Sequence, residues 1–138
     1  MNPTILALLG YFSLILFLLI LLLSYRTTLV LQKQRAANAF APDGSDVSGF
    51  AQRLTRALAN SVESFPLVGG LLLFALAMSL SSITDALAYP LLVARLAQSL
   101  VHLISTSVLA VQIRFSLFAV QLVICGVWIV EFFVKFSA

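Results

Sequence analysis

Charge is what this sequence has least of. Of its 138 residues only 9% are charged, eight Lys or Arg and five Asp or Glu, while 62% are hydrophobic. A soluble domain carries about a quarter charged residues, so that class is excluded. A mean hydropathy of +1.11 places the chain in lipid. The lone cysteine, Cys125, excludes a disulfide framework and reads as a small buried hydrophobe. One histidine and no paired cysteines leave no metal-ligand set. The net charge of +3 is not gathered into a run, which argues against a nucleic-acid partner. No Ser/His/Asp order, glycine-rich phosphate loop or carboxylate pair stands out. The first apolar segment, Ile5 to Leu23, contains no acid. A small four-helix drug exporter would need one there, so that reading ranks last.

What is present is apolar sequence in four membrane-length stretches, each near the ~20 residues that cross a bilayer. The pattern predicts an all-α, four-transmembrane-helix bundle in one domain over 1–138, with helices at about 4–34, 48–81, 84–105 and 112–136. Met1 to Leu23 lacks a basic flank and is longer than a signal peptide's apolar core, and Ala39-Phe40-Ala41 lies too far beyond it to be its cleavage site. It reads as a retained helix. Pro42-Asp43-Gly44 marks a turn in the first loop, with Asp46 or Ser48 as the cap of the second helix. Pro66 is expected to kink that helix, and Gly69-Gly70 to let a neighbouring helix approach closely. Glu131 and Lys135 read as a surface pair of little weight.

Orientation follows from the basic residues. Arg26, Lys33, Arg35, Arg53 and Arg56 flank or occupy the first loop, whereas the second has Asp85 and no cation. Loops 1 and 3 are therefore expected on the cytoplasmic side and both termini on the other.

At about 100° per residue, Arg56, Asn60 and Glu63 fall on one face of the second helix. Arg95, Gln98, His102 and Ser105 form a similar stripe on the third, and Arg114 opens the fourth. Under this topology all of them share one leaflet, and the two stripes would line a polar cleft between the second and third helices. The plainer alternative is an internal ion pair of Glu63 with Arg56 or Arg95. One acid, however, cannot neutralise three arginines, and surplus cations favour an anionic ligand.

The run Phe50-Ala51-Gln52-Arg53-Leu54-Thr55-Arg56-Ala57-x-Ala59-Asn60-x-x-Glu63-x-x-Pro66 resembles the signature of the MAPEG proteins (membrane-associated proteins in eicosanoid and glutathione metabolism). Ala39-Phe40-x-Pro42-Asp43-Gly44 is similar to bacterial members, as are Ala94-Arg95-Leu96 with His102, and Arg114-Phe115. The resemblance implies a homotrimer, in a bacterial inner membrane, with glutathione as co-substrate in a cleft between subunits. It assigns Arg56, Asn60 and Glu63 to the peptide, Arg35 as a further basic contact, and Arg114 to the thiolate. Arg95, Gln98 and His102 join the set of candidate glutathione contacts. The implied activity is a glutathione-dependent transferase or peroxidase acting on a lipophilic small molecule that arrives through the bilayer. Leu58, where many members are polar, and Gln98 and His102, where well-known eukaryotic enzymes carry tyrosines, favour a second reading: a non-catalytic small-molecule binder or accessory subunit.

Overall fold

The computed structural model describes residues 1–33, 36–40 and 49–138. These residues form four helices, α1 (Pro3–Leu31), α2 (Gly49–Ala77), α3 (Ser81–Ile104) and α4 (Val108–Ser137), each long and apolar enough to cross a membrane. With this composition the chain is an integral membrane protein. Arg35, Pro42, Asp43, Gly44, Asp46 and Ser48 lie outside the described residues, so the expected turn, cap and Arg35 contact are not placed.

Where the helices begin and end differs from expectation, for identifiable reasons. α1 starts on a side-chain cap: the Asn2 Oδ1 accepts from the amides of Thr4 (2.8 Å) and Ile5 (3.2 Å), with Pro3 in the first turn. α2 ends at Ala77 rather than near Ser81. Leu80 N–H bonds the carbonyl of Ala75 (2.7 Å) and Ser79 N–H that of Leu76 (3.1 Å), with Ser79 in the left-handed region at φ 57°. This is a Schellman closure with serine where glycine is usual. Ser79→Gly should therefore stabilise the protein by about 0.5–1 kcal/mol, read as a higher unfolding temperature in detergent. α4 starts four residues before the expected 112, because the Ser107 hydroxyl caps it through the amide of Ala110 (3.2 Å).

Cross-helix bonds fix the relative directions. Thr4 Oγ1 donates to Asp85 Oδ1 (2.6 Å), and Asn2 Nδ2 reaches Ser81 Oγ (3.1 Å), so α1 and α3 begin at the same end. At the opposite end Arg53 Nε donates to the Leu103 carbonyl (2.8 Å), one of the last in α3 with no intrahelical partner. α2 therefore runs against α3, and the short connection 105–107 returns α4 against α3 as well. α1 packs on α2 and α3, while α4 packs chiefly on α3.

One correction concerns the small residues. Gly70 has open space around it, and a side chain at Gly69 would strike the Phe65 ring of its own helix. The close approach belongs instead to Gly10, where an added Cβ would lie 2.8 Å from the Leu92 side chain on α3. At the end near the termini Asn2, Thr4, Ser81, Thr84 and Asp85 form a hydrogen-bonded cluster of their own. Its carboxylate faces the first amides of α1, where the helix dipole favours a negative charge.

The interior is layered. A larger apolar core, including Ala7, Leu72, Leu91, Cys125 and Trp128, fills the half near the termini. A smaller one, Leu18, Leu54 and Ala57, fills the half near loop 1. Between them lies polar material.

Candidate functional site

Arg95 is the centre of that polar layer. It is 0% exposed, midway along a helix that crosses the membrane, and no carboxylate among the described residues pairs with it. A buried guanidinium must spend its donors on neutral oxygens. Nη1 donates to Ser64 Oγ (2.6 Å) and Tyr11 Oη (3.3 Å), and Nη2 to Asn60 Oδ1 (2.5 Å). Nε is buried without a partner. The Tyr11 ring lies 5.9 Å from the guanidinium carbon and adds a cation–π contact.

The layer continues sideways. Gln98 Nε2 donates to the same Asn60 oxygen (3.2 Å), and Gln98 Oε1 accepts from Gln121 Nε2 (2.8 Å). Tyr11 in turn donates to the Ser61 carbonyl (2.8 Å) and contacts Ser64, while Ser61 and Ser99 hydroxyls meet at 3.4 Å. Each of the four helices thus contributes at least one polar side chain. At this level α2 and α3 close on each other: of the α3 stripe, Arg95 and Gln98 are packed inside together with Ser99 and line no cleft among the described residues, whereas His102 and Ser105 further along are half-buried.

The outer part of the α2 stripe is different. Arg56 and Glu63 are exposed on the surface of the protomer, and Asn60 is half-buried between them. Neither charge has a hydrogen bond or ion pair among the described residues, so the alternative of an internal lock of Glu63 with Arg56 or Arg95 does not form. The Glu131–Lys135 pair does not close either, and both side chains are exposed.

A second polar contact lies near the α3–α4 turn. Arg114 Nη1 is 2.6 Å from His102 Nδ1, with both residues half-buried. Arginine only donates, so that ring nitrogen carries the lone pair and the imidazole is neutral at this contact. Arg114 Nε is buried without a partner among the described residues.

Several participants escaped sequence reasoning. Tyr11 sat unnoticed in the first apolar segment, although a phenol at that depth needs a polar partner, and that need was the available signal. Ser61, Ser64, Ser99 and Gln121 gave none, since single hydroxyls and amides occur at random helix positions.

A model of the MAPEG family matches residues 9–134, nearly the whole chain. No curated protein and no solved structure matches it.

Proposed function

The chain belongs to the MAPEG family, and from that premise we propose that it is a glutathione-dependent transferase or peroxidase acting on a lipophilic substrate. The observation that carries this reading is the pair of opposite charges on one face of α2 that have no partner among the described residues. Arg56 and Glu63 are seven residues apart, about 10 Å along a helix axis. An uncompensated charge at lipid depth costs several kcal/mol, so the pair must meet something polar outside the protomer. Glutathione supplies the complement: its carboxylates suit a guanidinium fork, and its ammonium suits Glu63.

The same exposure supports assembly. In a homotrimer a second copy would close over the α2 face and exclude lipid, leaving a cleft for the peptide between subunits. The positive-inside asymmetry orients loops 1 and 3, and hence the mouth of that cleft, toward the cytoplasm of a bacterial inner membrane. Arg35 stands in this reading as a further basic contact.

In the transferase step the glutathione thiol loses its proton to solvent, and the thiolate forms a bond to an electrophilic carbon. The leaving group departs with the electron pair of the bond it breaks. Arg114 stabilises the thiolate: its Nη1 is held by His102, while a guanidinium has further N–H donors to offer the sulfur. With a hydroperoxide, two glutathiones become one disulfide as the peroxide is reduced to an alcohol and water.

One observation favours the second reading, a non-catalytic binder. Arg114 is already engaged by His102 within the protomer, which a purely structural role would also require.

The test is calorimetry of glutathione binding to detergent-purified protein beside Arg56→Ala. Binding to the wild type that weakens at least about tenfold in the variant is expected, the loss of one charge-assisted contact. A wild type that binds no glutathione sinks the proposal.

A further inference from the structure

We propose that Arg95 is a positioning residue: from inside the bundle it fixes the Asn60 carboxamide with its oxygen inward, so that Asn60 meets its ligand as a hydrogen-bond donor. The orientation is dictated by chemistry. A guanidinium has five N–H donors and no acceptor, so the Asn60 atom 2.5 Å from Arg95 Nη2 must be the oxygen. Gln98 Nε2 donates to that same oxygen and holds it from a second side. Turning the amide over would set N–H groups against both donors and leave two buried donors unsatisfied.

The polarity then propagates. Because Gln98 gives its nitrogen to Asn60, its oxygen faces α4 and accepts from Gln121 Nε2, whose other hydrogen goes to the Leu117 carbonyl (3.1 Å). The direction of every amide in the layer descends from one cation. It ends at Gln121 Oε1, which is buried without a partner among the described residues.

What Asn60 has left is its Nδ2. That nitrogen has no hydrogen bond among the described residues and belongs to a half-buried side chain between Arg56 and Glu63. On the reading of this stripe as the glutathione site, on which this inference rests, Asn60 meets a carboxylate or carbonyl oxygen of the peptide, never its ammonium. Arg95 shapes recognition without touching the ligand, since its guanidinium is wholly enclosed.

Two measurements on the detergent-purified full chain test this, thermal unfolding and glutathione calorimetry. Asn60→Asp supplies a carboxylate to Arg95, so it should melt several degrees above the wild type. It should also bind glutathione at least about tenfold more weakly, because an oxygen replaces the outward donor. Arg95→Met, which keeps volume but no donors, should weaken binding by about tenfold in the wild-type background and cause no further loss in the Asn60→Ala background. Additive losses, or an Asn60→Asp variant that melts below the wild type, would overturn the proposal. The two readings fail separately. A wild type that binds no glutathione, with Asn60→Asp still melting higher, removes the ligand and supports the lock. Tight binding by Asn60→Asp does the reverse.

Discussion

Arg114→Ala is expected to lower glutathione-dependent turnover by about 10²–10³-fold, the loss typical of removing one preorganised donor from developing or stored negative charge. The thiolate is the nucleophile, and a neighbouring guanidinium raises its fraction at neutral pH. In a site walled by lipid-facing helices that interaction is screened less than in water. Arg114 lies near the start of α4, close to the α3–α4 turn, and its only hydrogen-bond partner among the described residues is His102. Truncation should therefore spare the bundle core, leaving the elution volume on size exclusion and the unfolding temperature close to the wild type. Arg114→Lys should recover part of the rate, since it keeps the charge and loses the planar fork. Turnover of an apolar electrophile, followed by loss of free thiol, is the measurement. An Arg114→Ala variant as fast as the wild type would remove the thiolate role and move the protein to the binder reading.

Arg95→Ala is expected to cost about 3–5 kcal/mol of stability, the range for emptying a large buried site or stranding buried polar partners. Two losses combine. The side chain is among the largest wholly enclosed ones in the protein, so its removal leaves a void. It also strands the oxygens of Asn60, Ser64 and Tyr11, which lose the donor they converge on. In a membrane this matters more than the count of bonds suggests. Lipid is as apolar as the helix surfaces, so burial alone does little to hold helices together, and packing and hydrogen bonds carry the association. Arg95→Met fills the space and removes the unpaired cation, so it should lose much less. Denaturant or thermal unfolding of both variants in one detergent distinguishes them. Equal losses for Ala and Met would show that the donors, and not the void, dominate.

The number of helices and their membrane character were legible in the sequence because both are one-dimensional. A bilayer imposes a fixed length and excludes charge, so four apolar stretches of that length specify four spans whatever they pack against. The Arg56–Asn60–Glu63 stripe was legible for a related reason: helical periodicity alone puts those residues on one face. Family membership followed from the same residues, and the match over 9–134 bears it out.

Helix ends were less legible. They depend on single capping contacts, such as Ser107 with the Ala110 amide or the left-handed Ser79, which compete locally with a continuing apolar pattern. Which polar residue faces in and which faces out was not legible at all. Arg95 and Arg56 have the same side chain and similar helical surroundings in sequence, yet one is sealed and the other exposed. That division depends on how α3 is rotated against Tyr11 of α1 and Gln121 of α4, residues far away in the chain. The sequence by itself determined that Arg56, Asn60 and Glu63 share one face of α2 and that Arg95 and Gln98 share one face of α3. Only the packing of four helices decided that they split into an inner hydrogen-bonded layer and an outer pair of charges with no partner among the described residues.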